Sequence, residues 1–335
     1  MNVELIKQNV GIDVSKDDFE VCLSVINREI EISKQGSHCF ANNPSGFEKL
    51  LQWLDKKSVK DLSLSFTMEA TGVYYESLAW FLFQNGFRVH VVLPVQAKKY
   101  IQSLGIKLKT DKTDAQYLSH LGLERSLRVW SPLSTNMQTL RQLTRERETI
   151  VRDRTSVSNQ LHAYQHQGKP NQGSIARAKE QISVLDRQVK EIEKEIAILV
   201  KQDEVLQTKL NYIQSIPGIG LITAAVIVAE TNGFTAITSI KQLTSFAGMD
   251  ITIAESGKWK GRSKISKKGN SHIRRALYMP TLTKIKKDKS TQNYYQRLKD
   301  KKGKGMIAVV ALQRKLLGLM YTLWKKEQIY VSPAV

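Results

Sequence analysis

Asp13, Glu69, Asp111 and Asp114 are the residues of this chain whose surroundings best suit chemistry. Asp13 falls inside the apolar run Val10-Gly11-Ile12-Asp13-Val14, which reads as a first strand, so its side chain is expected to project from the sheet end. Glu69 closes the strand at 62–68, in the run Thr67-Met68-Glu69-Ala70-Thr71-Gly72. Asp111 and Asp114, in Lys109-Thr110-Asp111-Lys112-Thr113-Asp114-Ala115, open a helix. A three-residue step puts both carboxylates on one helix face, with Cβ atoms roughly 5–6 Å apart. Four converging carboxylates repel one another unless cations neutralise them, and hard oxygen ligands select Mg²⁺, with Mn²⁺ as the substitute. Two such ions about 3.5–4 Å apart clamp a phosphodiester and stabilise both the attacking and the leaving oxygen. Singly, each acid has an ordinary role: Asp111 as a helix N-cap, Asp13 in a turn, Glu69 in an ion pair. Together they point to metal-dependent phosphoryl transfer.

The elements that must position these groups run in a telling order. Residues 10–14 and 19–25 read as strands joined by the polar turn Ser15-Lys16-Asp17-Asp18, and 28–32 alternates as a third, which 37–41 can continue. Pro44-Ser45-Gly46 opens a helix with Phe47, Leu50, Leu51 and Leu54 on one face. The strand at 62–68, an amphipathic helix at 74–85 stopped by Gly86, and the buried strand 88–93 follow. Three strands, then helix, strand, helix, strand, helix is the order of a ribonuclease-H-like domain, which brings the four acids to one end of the sheet.

From Asn136 the texture changes to long helices, 137–165 and a second after the breaker 167–173. Ile175, Ile182, Leu185, Val189, Ile192, Ile196 and Leu199 recur at three- and four-residue steps, with one wider gap at Ala178. That heptad seam predicts an antiparallel hairpin arm, which either dimerises the protein or cradles a ligand along its polar face. Ser215-Ile216-Pro217-Gly218-Ile219-Gly220 before the apolar stretch 221–230 reads either as a helix-hairpin-helix turn at a phosphate or as an ordinary loop. Residues 234–248 read as one more helix, and a last one covers 306–326. The fold class expected is α/β plus α: a ribonuclease-H-like domain over 1–130, a coiled-coil arm over 131–210, and a mostly helical domain over 211–335.

Charge narrows the partner. The 335 residues carry 51 Lys and Arg against 31 Asp and Glu, a net +20, and an excess that large points to a polyanion. Residues 256–304 hold 17 of those bases and two acids, Asp288 and Asp300, so +15 of the +20 sits there. At 41% hydrophobic and 24% charged the composition is globular, which excludes a mainly disordered chain. No run of 18 consecutive apolar residues predicts a membrane span, and the first residues lack a secretory signal. Two cysteines, Cys22 and Cys39, build neither a disulfide scaffold nor a zinc site, so a cytoplasmic protein is expected. The six histidines show no metal-ligand spacing.

Motifs from both ends of the chain carry a resemblance. Gly11-Ile12-Asp13-Val14-Ser15-Lys16, Glu69-Ala70-Thr71-Gly72 and Lys112-Thr113-Asp114-Ala115 are similar to the DEDD transposases of the insertion sequence 110 family, relatives of a pilin-gene inversion recombinase. Ile216-Pro217-Gly218-Ile219-Gly220, Phe246-Ala247-Gly248, Glu255-Ser256-Gly257, Gly261-Arg262, Ile265-Ser266-Lys267-Lys268-Gly269-Asn270 and Arg274-Arg275-Ala276-Leu277 continue the match in order. The chain departs from the family after Gly248, where Met249 to Ile253 lacks a usual proline. The resemblance implies a RuvC-like N-terminal domain, a coiled-coil arm and a C-terminal transposase domain. It implies that Asp13, Glu69, Asp111 and Asp114 hold Mg²⁺, and that Ser256 attacks DNA to form a phosphoserine linkage. It further implies a homo-oligomer, dimer or tetramer, whose active site is shared between protomers, and donor and target DNA chosen by a non-coding bridge RNA.

Around Ser256, Lys258, Lys260, Arg262, Lys264, Lys267, Lys268, Arg274 and Arg275 are candidate phosphate contacts. Trp259 and the Tyr294-Tyr295 pair offer stacking surfaces, with core packing as their alternative. Ser263, Ser266 and Ser271 are competing hydroxyls. Two other functions remain open: a junction nuclease that uses the same acids with water, and a non-catalytic nucleic-acid scaffold.

Overall fold

Along the first strand Val10, Ile12 and Val14 alternate with Asn9, Gly11 and Asp13, and this alternation decides the layering of the N-terminal unit. The computed structural model describes residues 4–105, 111–252, 255–256, 259–260 and 264–331. The chain divides into two compact units, Met1–Pro132 and Leu133–Val335.

In the first unit β1 (Leu5–Val14), β2 (Asp18–Asn27) and β3 (Ile32–Ala41) form an antiparallel meander, followed by α1 (Pro44–Lys57). β4 (Leu64–Glu69), α2 (Glu76–Gln84), β5 (Arg88–Val92), α3 (Pro94–Ser103) and α4 (Asp111–Glu124) complete it. The sheet order is β3-β2-β1-β4-β5, with β4 parallel to β1 and β5 parallel to β4. That topology is the ribonuclease-H-like one the element order predicts. One strand differs from expectation. Residues 28–31 are not strand, because Ile30 turns with φ 66° between β2 and β3.

Val10, Ile12, Phe19, Val21, Phe66 and Met68 face α1 and α2, whose Phe47, Leu50, Leu54, Leu78 and Leu82 close one core. The opposite sheet face takes α4. A Cβ on Gly11 would lie 1.9 Å from the Ala115 carbonyl oxygen and 2.2 Å from the Ser119 nitrogen, so the helix backbone rests directly on the strand. Ser24 and Ser119 share a buried hydrogen bond of 2.7 Å, and Lys7 Nζ donates to the carbonyls of Gly122 and Leu123 at 2.5 and 2.9 Å. α4 therefore runs opposite to β1, with its first turn over the strand's carboxyl end. Gly11→Ala is expected to cost stability at the upper end of the roughly 1–3 kcal/mol range for overpacking. A lowered denaturant midpoint checks this; an unchanged midpoint would show that α4 can ride up without loss.

The second unit opens with α5 (Thr135–Gln165) and α6 (Gln172–Gln202). Arg147–Glu193 and Arg154–Asp186 ion pairs bridge them, and rising numbers on one helix meet falling numbers on the other, so the hairpin is antiparallel. Ile175, Ala178, Ile192 and Ile196 are buried, so Ala178 fills the gap in the heptad seam with a small side chain. Next come α7 (Glu204–Gln214), α8 (Leu221–Thr231) and α9 (Ile240–Phe246). Four two-residue strands follow: β6 (Ile251–Thr252), β7 (Glu255–Ser256), β8 (Trp259–Lys260) and β9 (Lys264–Ile265). α10 (Ser271–Ala276), α11 (Tyr278–Lys287), α12 (Lys289–Lys302) and α13 (Gly305–Lys326) finish the unit.

Buried Ala224, Ala225, Ile227 and Val228 put α8 at the centre of this core, against Leu316, Leu317, Met320 and Trp324 of α13. By length and composition α13 could cross a membrane, and half of its apolar window is buried within the protein. The helix expected over 234–248 is shorter than the sequence suggests. Asn232, Gly233 and Phe234 all have positive φ, and Phe234 buries its ring against Tyr321 and Trp324 instead of starting a helix.

Candidate catalytic site

Parallel pairing of β1 with β4 ends at Ile12 opposite Met68, so Asp13 and Glu69 stand one residue beyond the same rung. Strand alternation turns both to the face that carries α4, the face of Gly11 and Thr67. There the first turn of α4 brings Asp114, next to the Ala115 that overlies Gly11. Asp13, Glu69 and Asp114 are all half-buried at this edge, and Thr71 Oγ1 donates to Glu69 Oε1 at 3.4 Å. β5 extends the rim, with Val92 opposite Glu69. The side chain of Asp111 lies outside the described residues. Among the described residues no three His, Cys, Asp or Glu side chains close into a metal-binding group. Three of the four predicted acids thus share one sheet end, and their all-carboxylate donor set is the type Mg²⁺ takes.

The predicted nucleophile lies in the second unit. Ile251 pairs with Ile265 and Thr252 with Lys264, then Glu255 with Lys260 and Ser256 with Trp259. The two short antiparallel pairs, β6 with β9 and β7 with β8, make up a ribbon, with Ser256 on its last described rung. The side chains of Ser256, Trp259 and Lys260, and all of Lys258 and Arg262, lie outside the described residues.

The root of the ribbon is closely tied. Ser266 donates its amide to the Asp250 carbonyl at 2.9 Å and its hydroxyl to the Asp250 carboxylate at 2.5 Å, so this competing serine has a structural role. Lys267 donates its amide to the Gly248 carbonyl at 3.0 Å. A Cβ on Gly269 would lie 2.4 Å from the Gly248 nitrogen, so two glycines are needed where the strands of this loop cross. Lys264, Lys267 and Lys268 are exposed around the root, as phosphate contacts must be.

The two arginines behave differently. Arg274 Nη1 donates to the carbonyls of Ala247, Gly269 and Asn270 at 2.7, 3.1 and 3.3 Å, clamping the loop from within. Arg275 pairs with Glu148 of α5. Tyr294 lies half-buried with Lys315 Nζ 3.6 Å above its ring. In the Pro217–Gly220 turn, Gly218 takes φ 91° and Gly220 precedes α8 as its N-cap.

The sequence reading missed one site altogether. Glu230, at the end of an otherwise apolar helix, is 3% exposed. Arg145 grips it with two hydrogen bonds of 2.7 and 2.9 Å, and Asn270 donates to it at 2.6 Å. Burial pushes this carboxyl upward, but Arg145 and Asn270 outweigh it and hold the group below the usual carboxylate range. A lone acid after LITAAVIVA was the only signal available.

Residues 10–170 match the family model of DEDD insertion sequence 110 transposases, and residues 210–296 match that of the transposase IS116/IS110/IS902 family. The chain belongs to this transposase family. A family member of this kind recombines DNA. It is 27% identical over 332 residues to the pilin gene-inverting protein of Moraxella bovis, covering 96% of this chain and 97% of that one. It is 23% identical over 354 residues to the transposase for insertion sequence element IS1111A of Coxiella burnetii, covering 96% and 90%. Among solved structures, Thermus thermophilus RuvC in complex with Holliday junction substrate is similar over 34% of this chain and 90% of that one, at 12% identity and a TM-score of 0.27. The ribonuclease-H-like assignment stands on the strand order of the first unit.

Proposed function

We propose that this transposase cuts and rejoins donor and target DNA through a covalent phosphoserine intermediate on Ser256, with a bridge RNA selecting both DNAs. The observation that carries the reading is the shared sheet end of Asp13, Glu69 and Asp114 in a chain whose two halves match the two family models. Asp13, Glu69, Asp111 and Asp114 would hold Mg²⁺. When bound, the metal offsets carboxylate repulsion and stabilises charge on the phosphoryl oxygens.

In the proposed step Ser256 Oγ attacks phosphorus and a P–O bond to one sugar oxygen breaks. That oxygen leaves as a strand-end hydroxyl, taking up the proton the serine gives off. The phosphodiester energy stays in the serine linkage, so a second strand end can reverse the attack without ATP. Water in place of serine gives hydrolysis only. A serine hydroxyl is a weak nucleophile at its free pKa and needs activation, which the acidic cluster with a bound metal would supply. By its resemblance to the family, the active site is shared between protomers of a cytoplasmic dimer or tetramer.

The decisive experiment combines the protein, RNA transcribed from its element, both DNAs and Mg²⁺, then separates products under denaturing conditions. A protein–DNA adduct is expected. Cleavage without an adduct would favour the water-using nuclease, and no cleavage with any RNA would leave a binding scaffold. The cationic surface makes a further prediction. With six to ten phosphates contacted, affinity for nucleic acid is expected to fall about 10³–10⁵-fold between 50 and 200 mM salt. A filter-binding salt titration with a flat slope would overturn this.

A further inference from the structure

Three elements meet at the Glu230 carboxylate: Arg145 comes from α5, Glu230 from the end of α8, and Asn270 from the loop behind the Ser256 ribbon. Asn270 also caps α10, accepting the Ile273 amide at 3.1 Å, and its own amide reaches the Phe246 carbonyl at 2.8 Å. One turn along α5 from Arg145, Glu148 pairs with His272 at 2.5 Å and with Arg275. Arg141, one turn the other way, donates to the Ala229 carbonyl at 3.1 and 2.9 Å. One face of the arm helix therefore holds the end of α8, the loop 266–270 and the start of α10.

A buried ion pair is a poor source of stability, because desolvation offsets most of its attraction, whereas it does fix geometry. The groups fixed here are those that root the ribbon. From Asn270 the chain leads back through Gly269 against Gly248, Lys267 on the Gly248 carbonyl and Ser266 on Asp250, to the β6–β9 rungs.

We propose that Glu230 is a positioning residue: the arm helix, through Arg145, Glu230 and Asn270, sets the loop that aims the Ser256 ribbon and presents Lys267 and Lys268. The part about chemistry rests on the assignment of Ser256; the mechanical link does not. The arm is thereby more than a spacer. A shift of α5, as when the arm engages a partner, is carried to the ribbon through one carboxylate.

The test uses the full chain with Glu230→Gln, Arg145→Gln and the double variant. In hydrogen exchange, amides at 264–270 are expected to exchange on the order of ten- to a hundredfold faster, while those of Ile227 and Val228 in α8 keep their protection. The rate of adduct formation is expected to fall at least about tenfold, and the double variant to be no worse than either single one. Equal loosening of α8 would make Glu230 plain core support and overturn the proposal. Unchanged exchange at 264–270, or additive losses in the double variant, would overturn it too. Should Ser256→Ala itself leave the adduct intact, the nucleophile assignment fails, and the exchange data still judge the link separately.

Discussion

Asp13→Ala is expected to abolish Mg²⁺-dependent strand cleavage, by about 10³-fold or more, while leaving the fold and RNA binding largely intact. Asp13 is half-buried at the rim of the sheet, and its neighbours Ile12 and Val14, not Asp13, fill the core. Removing the carboxylate deletes a proposed metal donor without opening a cavity. Glu69→Gln and Asp114→Asn act in the same direction because both groups share that sheet end. Asp17→Ala is the control, since Asp17 carries the same carboxyl side chain but lies in the exposed turn between β1 and β2. Cleavage of labelled DNA, thermal melting and RNA retardation on gels read the three quantities. If Asp13→Ala unfolds the protein or loses RNA, the carboxylate is structural and the metal assignment is wrong.

Ser256→Ala is expected to remove the covalent protein–DNA adduct completely, since no other hydroxyl on that rung can replace the missing oxygen. Nucleic-acid affinity should hardly change, because phosphate contacts come from the surrounding bases. Ser266→Ala is expected to keep the adduct, although it loses the bond to Asp250. The pair therefore separates nucleophile from support. An adduct that survives in Ser256→Ala and vanishes in Ser266→Ala would transfer the role to Ser266 and require the root of the ribbon to open.

Much of the candidate edge was legible because its determinants are local. Asp13 and Glu69 end strands whose alternation is plain in Val10-Gly11-Ile12-Asp13-Val14 and Ser65-Phe66-Thr67-Met68-Glu69. Asp111 and Asp114 open a helix with its own signature. The antiparallel hairpin of α5 and α6 is legible for the same reason, whereas Ala178 reads only as a gap until burial shows it filling the seam. Phe234 misleads because burial against Tyr321 and Trp324 overrides local helix propensity. Arg274 reads as a phosphate ligand because composition cannot tell an arginine turned inward to carbonyls from one turned to solvent.

The sequence by itself determined the order of elements, the acids at strand and helix ends, the seam of the arm and the concentration of bases around Ser256. These depend on period, spacing and charge within a few residues. Only the tertiary structure decided that α4 lies on Gly11 and so places Asp114 at the same sheet end as Asp13. It alone gave Arg274 its carbonyls and joined Arg145, Glu230 and Asn270. Those partners lie 85 and 40 residues apart, and a buried carboxylate must find its donors wherever the folded chain brings them.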